Sequence, residues 1–199
     1  MKVFKNPYIL LRKIIKIYNL FFLSLFFKKY GEGTRIEKAY FLTPESIELG
    51  KGVLICQGAR IEGVSNYEET EFNPLIKLED NVSIQQNIHL TCANSIIIKK
   101  NTAIAANVTI TDIIHPYEDI SIPIEKQPII YKKVEIGEEC KIYNNAVILP
   151  GVILGKHCVV AANSVVREGL YPDYSILAGS PAVIIKKYDI KLKKWRKNE

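Results

Sequence analysis

VEIGEECKIYNNAVILPGVILGKHCVVAANSVV, residues 134–166, carries an aliphatic side chain at every sixth position: Ile136, Ile142, Ile148, Leu154, Val160 and Val166. Two places before each stands a small or slim residue: Val134, Cys140, Ala146, Val152, Cys158 and Ser164. A helix turning once in about 3.6 residues cannot hold both rows on one face over such a length, so the period excludes an α-helix. It marks a hexapeptide repeat, the pattern of a parallel β-helix. The large side chain points inward from each short strand, and the small one fits the tightening corner. Pro150-Gly151 suits the middle of a type II turn, proline presetting the first φ and glycine accepting a positive second one.

The same phase returns upstream in Leu49, Ile55 and Ile61, in Leu78, Ile84 and Leu90, and in Ile98, Ile104 and Ile110. Three hexads per triangular coil then give about five coils, a prism roughly 24 Å long at about 4.8 Å per layer. Residues 18 apart should stack: Ile136 with Leu154, Ile142 with Val160, Ile148 with Val166.

With 199 residues, 48% of them hydrophobic, the chain has material for one continuous core and needs no second domain. Four cysteines, none in a CxxC pair and no secretory signal among the first residues, point to a reducing cytoplasm. Cys140 and Cys158 should lie one coil apart as free, packed thiols. The net charge of +6 is unevenly placed, since residues 1–35 hold eight Lys/Arg against one Glu and residues 183–199 seven against two acids. Basic ends around an acidic middle suit an anionic partner such as a nucleotide phosphate or a lipid surface. No nucleic-acid-binding motif accompanies the charge, so nucleic acid is not expected.

Residues 1–35 are expected to form an amphipathic, hydrophobic helical segment, with helix from Pro7 to Tyr30. The uncharged run Ile17 to Phe27 is too short to span a bilayer, which takes about 20 residues. Phe21, Phe22, Phe26 and Phe27 suit either a cap on the open end of the prism or a dip into a membrane interface beside the lysines, with capping preferred. Residues 36–182 form the β-helix, and 183–199 a short basic tail. Two stretches break the coil pattern, near 63–74 and 111–131, and interruptions of a solenoid are where chemistry is placed. The first carries Tyr67, Glu68, Glu69 and Glu71 and reads as a solvated loop, with the border of a substrate site as the alternative; the second reads TDIIHPYEDISIPIEKQP at 111–128 and contains His115.

Between about 75 and 187 the chain resembles the hexapeptide-repeat sugar O-acetyltransferases, the group of the galactoside and maltose acetyltransferases and polysaccharide-modifying relatives. The likeness rests on Asn107-Val108-Thr109, on His115-Pro116 opening the long loop, on ILPGVILG at 148–155, VVAANSVV at 159–166 and AGSPAVIIKK at 178–187. It implies a left-handed β-helix, assembled as a homotrimer with active sites in the clefts between subunits and using acetyl-CoA without a metal. By the same likeness His115 is the general base, and Asn144, Ala162, Arg167 and Lys186 line the cofactor path. Asn87 is assigned to the acceptor sugar. Lys141-Ile142-Tyr143 stands where relatives often have Trp-Ile-Gly, Ala161 and Asn163 where glycines are frequent, and Ile113 where some carry a second histidine.

The residue type fits the chemistry, because a neutral imidazole draws the proton from a hydroxyl as attack begins. Asp112 or Glu118 is a candidate to orient the ring, against the plainer reading of both as loop carboxylates in water. A zinc site would need three converging histidines, and His89, His115 and His157 lack that spacing. The expected activity is O-acetylation of a sugar hydroxyl in a surface polysaccharide or its precursor, in the cytoplasm, with the N-terminal segment near the inner membrane surface. The competing readings are an N-acetyltransferase on an amino sugar and a non-catalytic scaffold.

Overall fold

Extended pairs of β-branched residues alternate inward and outward, and their backbones find partners only in the neighbouring coils. The computed structural model describes residues 22–197 and shows the outcome, an all-β prism of three parallel faces. The first face stacks Lys29–Tyr30, Ile47–Leu49, Leu75–Leu78, Ser95–Ile98, Val134–Ile136, Val152–Leu154 and Gly169–Tyr171. The second stacks Arg35–Ile36, Leu54–Ile55, Ser83–Ile84, Ala103–Ile104, Lys141–Ile142, Val159–Val160 and Ser175–Gly179. The third stacks Phe41–Leu42, Arg60–Gly63, His89–Cys92, Thr109–Thr111, Val147–Ile148 and Val165–Val166. The expected register holds, with Ile136 opposite Leu154, Ile142 opposite Val160 and Ile148 opposite Val166.

The described residues make six full coils and two sides of a seventh, where the spacing predicts five. Tyr30, Ile36 and Leu42 open the stack against Leu49, Ile55 and Ile61. At the other end Tyr171 lies against Leu154 and Leu177 against Val160, one residue short of the hexad phase. Six intervals of about 4.8 Å make the stack about 29 Å long. All fifteen hexad positions are buried, fourteen of them with no exposure and Leu154 with 2%. Cys140 and Cys158 are free and buried among them, each thiol donating to a backbone carbonyl, Gly155 O and Pro172 O.

Asparagine takes the left-handed turn at the corner between the second and third faces. Asn87, Asn107, Asn145 and Asn163 have φ of 57–59° and pass amide hydrogen bonds from one to the next at 3.1, 3.2 and 3.0 Å. Asparagine tolerates this conformation better than other residues with a Cβ. Gly151 adopts φ of 80°, as the Pro-Gly turn requires.

Both ends differ from the expected segments. The α-helix among the described residues is limited to a short turn at 22–24, because Lys28 N–H already bonds Pro44 O and Lys29 pairs with Glu48 in the first sheet. Most of the expected helix, residues 7–21, lies outside the described residues. Phe27 is buried and packs edge-on to Tyr30 at 5.4 Å, so it closes the N-terminal end, while Phe22, Leu25 and Phe26 stay exposed. The described part of the basic tail forms strands: Ala182–Asp189 pairs antiparallel with Ser175–Gly179, and Lys194–Lys197 pairs with it in turn. Ala182 and Ile184 pack on the core, and Tyr188 meets Trp195 across the hairpin at 5.5 Å. Cross-strand pairing of these apolar and aromatic residues outweighs the repulsion of the lysines between them.

The interior rows carry the stability. Ile142→Ala is expected to cost about 2–5 kcal/mol, whereas the outward Leu170→Ala stays within about 0.5 kcal/mol, by chemical unfolding at matched protein concentration.

Candidate active site

The two insertions leave the prism at the same corner, after the third face of the second and fourth coils. Stacked partners that lie 18 residues apart in a plain coil lie 29 apart across the first insertion and 38 apart across the second. The third coil, between them, turns directly from Cys92 to Ser95. Its outward side chains therefore form a floor between two walls.

That floor is a grid of polar residues flanking the inward Ile61, Leu90 and Ile110. Arg60, His89 and Thr109 stand in one row, and Glu62, Thr91 and Thr111 in the next. Arg60 is bound to Glu62 through both Nε, at 2.9 Å, and Nη2. Thr91 Oγ1 donates to Thr111 Oγ1 at 3.0 Å, and Thr111 Oγ1 accepts the Ile113 N–H at 3.1 Å. Alternation puts these groups outward, in water.

The first wall is a hairpin, Asn66–Tyr67 with Thr70–Glu71. The second begins and ends as an antiparallel pair, Ile113–Ile114 with Ile130–Tyr131, and its Tyr131 packs on Phe72 of the first at 6.1 Å. His115 lies exposed just beyond that pair, its ring 5.5 Å from Tyr67 at an interplanar angle of 75°. The Tyr67 hydroxyl donates to Glu125 O at 2.7 Å, with Glu125 Oε2 at 3.1 Å, and Lys126 Nζ meets Glu68 at 3.0 Å. Desolvation, then the Glu125 contact, holds this phenol above its ordinary range. Together the grid and walls enclose a pocket of about 520 Å³ lined also by Val64, Asn66 and Ile129.

Asp112 has neither of the roles considered for it. It is fully buried, and its carboxylate accepts the N–H groups of Ala93, Asn94 and Ser95 at 2.7, 2.9 and 2.8 Å. The Cys92 thiol points at it too, at 3.4 Å, and burial followed by this negative charge pushes that thiol well above its usual range. Three backbone donors satisfy a buried charge that would otherwise be costly. Asp112 thus ties the root of the histidine loop to the tight turn of the third coil. Glu118 accepts the Tyr117 N–H at 2.9 Å and is exposed.

The other expected site residues are spread over the prism. Asn87 stands in the asparagine corner ladder, outside the pocket lining. Asn144 and Ala162 are exposed on that same corner, in the fifth and sixth coils, where Asn163 N–H bonds Asn144 O at 3.0 Å. Arg167 is exposed after the last strand of the third face, and Lys186 is exposed in the C-terminal hairpin opposite Lys197. Within one chain, then, His115 gathers with His89, Tyr67 and the threonines, while the expected cofactor residues lie on later coils. His157 sits at a different corner, exposed, 3.5 Å from Glu139. Arg60, Glu62, Thr91, Thr109 and Thr111 were readable as outward neighbours of the inward row; Tyr67 was not, since its place depends on two loops meeting.

Removing the Asp112 carboxylate leaves three amides without partners. Asp112→Ala is expected to lose at least about 2 kcal/mol of stability, with faster hydrogen exchange at Ala93, Asn94 and Ser95 measured by NMR.

The family model described as bacterial transferase hexapeptide (six repeats) matches residues 133–168. The chain is 33% identical over 165 residues, 79% of its length and 80% of the relative's, to the Escherichia coli (strain K12) protein named as lipopolysaccharide biosynthesis O-acetyl transferase WbbJ. Its fold is similar to that of AntD, an N-acyltransferase from Bacillus cereus solved with dTDP and coenzyme A. There the TM-score is 0.68 at 21% identity, covering 87% of this chain and 91% of that one. It is similar as well to galactoside acetyltransferase solved with coenzyme A, with a TM-score of 0.55 at 22% identity, over 94% of this chain and 76% of that one. On its repeat and this extended likeness, the chain belongs to the hexapeptide-repeat acetyltransferase family.

Proposed function

We propose that the protein is an acetyl-CoA-dependent O-acetyltransferase that acts on a sugar hydroxyl of a surface polysaccharide or its precursor. The observation that carries this reading is His115, exposed at the wall of a polar pocket large enough for a sugar, in a chain one-third identical to a lipopolysaccharide O-acetyl transferase. His115 takes the proton from the acceptor hydroxyl, a role that needs hydrogen-bond reach of about 2.6–3.2 Å in the complex. Thr91, Thr109 and Thr111, with the Arg60–Glu62 pair, supply donors and acceptors that fix a polyhydroxylated ring. Acetyl-CoA supplies the thioester carbonyl that the hydroxyl attacks. Asn144 and Ala162 offer a slim exposed edge for its pantetheine arm, and the Arg167 and Lys186 cations suit its phosphates.

The family likeness supports a working site assembled from two protomers of a left-handed homotrimer, an arrangement compatible with the cofactor residues standing on other coils than His115. The protein works in the cytoplasm at the inner membrane surface, where Phe22, Leu25 and Phe26, exposed beside Lys28 and Lys29, meet the lipid interface. No helix among the described residues is long and apolar enough to cross a membrane.

Thiol release from acetyl-CoA, measured against a panel of sugars, amino sugars and glycan intermediates, tests the reading. His115→Ala should lower acceptor-dependent turnover about 10²–10⁴-fold; turnover at the parent rate would remove it as the base. A product acetylated on nitrogen would replace the hydroxyl by an amine, and failure to bind acetyl-CoA would leave a scaffold.

The two-protomer site is tested by mixing chains that are each defective in one half of it, at acetyl-CoA well below the raised KM. Lys186→Ala with Arg167→Ala should raise the KM for acetyl-CoA about tenfold or more, as expected on losing two charge-assisted contacts. Refolding that variant with His115→Ala should restore part of the rate, because one boundary in the mixed trimer again holds both intact halves.

A further inference from the structure

Among the described residues no hydrogen bond orients the His115 ring. Asp112, three residues before it, is committed to the amides of the third coil, and Glu118, three residues after it, to the Tyr117 N–H. The aromatic contact of His115 comes from the other insertion, from Tyr67. We propose that Tyr67 is a positioning residue, which holds the His115 imidazole in its working orientation by ring contact and by locking the two insertions together. The proposal rests on the reading of His115 as the base.

Tyr67 is held firmly enough for this. Its hydroxyl spans 58 residues of sequence to bond the carbonyl of Glu125 at 2.7 Å and approach the carboxylate at 3.1 Å, and the neighbouring Glu68–Lys126 pair joins the same two segments at 3.0 Å. The root of the hairpin is fixed as well. A Cβ on Gly63 would come within 2.5 Å of the Ser46 side chain, and Pro74, where the insertion rejoins the prism, is buried. Phe72 against Tyr131 adds a second aromatic contact between the insertions.

The bland alternative is that Tyr67 only braces an exposed loop or only touches acceptor. A brace would affect His115 no more than any other part of the loop. An acceptor contact would act equally with or without His115. The two differ from positioning in what they couple to.

Tyr67→Ala and Tyr67→Phe in the full-length chain separate these cases. With diethyl pyrocarbonate as the probe and peptide mass spectrometry as the readout, the carbethoxylation rate of His115 should rise about threefold or more in Tyr67→Ala. That of His157, on a different corner, should stay unchanged, and so should the thermal unfolding midpoint. Tyr67→Phe keeps the ring contact but loses the Glu125 bond, and should give a rate between those of the parent and Tyr67→Ala. In acetyl transfer to an equimolar mixture of methyl glycosides of glucose, galactose and N-acetylglucosamine, Tyr67→Ala should lower kcat about 10- to 100-fold with the acetyl-CoA KM within twofold. Added to His115→Ala, it should change the residual rate less than twofold. Equal His115 reactivity in parent and Tyr67→Ala, or an undiminished effect in the His115→Ala background, overturns the proposal. Full turnover in His115→Ala alone would sink the base assignment while the labelling result still reports whether Tyr67 holds the ring.

Discussion

Hydrogen bonding between successive coils, with one aliphatic side chain buried beneath each bonded pair, is the constraint on which this protein depends. A parallel strand of two or three residues has little stability alone. Here every such strand of the inner coils has a partner above and below, and the row Leu49, Leu78, Ile98, Ile136, Leu154 runs unbroken under the first face. The same condition dictates what the ends must do. A prism leaves two open edges, and open edges attract further strands. Phe27 closes one end from within, while the other passes into an antiparallel hairpin whose last strand, Lys194–Lys197, presents lysine and arginine at its free edge. Charge on that edge discourages another chain from adding to it.

Periodicity made the interior legible, because burial repeats with the coil and the sequence records it at each turn. The fifteen hexad positions and their stacking follow from spacing alone. The first and last coils escaped for opposite reasons: Tyr30 fills an inward position with an aromatic in a charged stretch, and Tyr171 falls one residue out of phase. Within the site, His115 stood out through its motif and its interruption of the repeat. Asp112 did not, since a place within the insertion, three residues before the exposed His115, gave no sign of complete burial; the amides that require it are set by the turn of the coil below. The asparagine ladder was legible in principle, as Asn recurs at one place in successive coils, and it gives Asn87 a corner role that residue type alone did not suggest.

The electrostatic pattern also follows from the fold. Lysines and glutamates on the outward faces pair across neighbouring coils, as Lys99 does with Glu135 and Lys100 with Glu138. Such exposed pairs add little stability. They leave the middle of the chain with its net acidity, and the excess positive charge belongs to the terminal segments of the sequence.

Why a pocket forms at the third coil follows from what an insertion costs in a solenoid. A loop that leaves at one rung and returns at the next must close a gap of about 4.8 Å whatever its length, and each doubling of length adds only about 0.6 kcal/mol of closure entropy. The rungs above and below keep their pairing, so the column tolerates long excursions. Two of them from the same corner, with one coil between them, flank the intervening face without any change to the buried rows. The pocket's floor is then as rigid as the core, being the outward side of the strands that carry Leu90 and Ile110, whereas its walls are free to vary in length and sequence. What the walls lack is a core of their own, and the contacts that hold them are few and specific: the Asp112 carboxylate at one root, Phe72 on Tyr131 between them, and the Tyr67–Glu125 bond across the top. Precision at His115 therefore depends on these exposed links more than on the large buried interior beneath it.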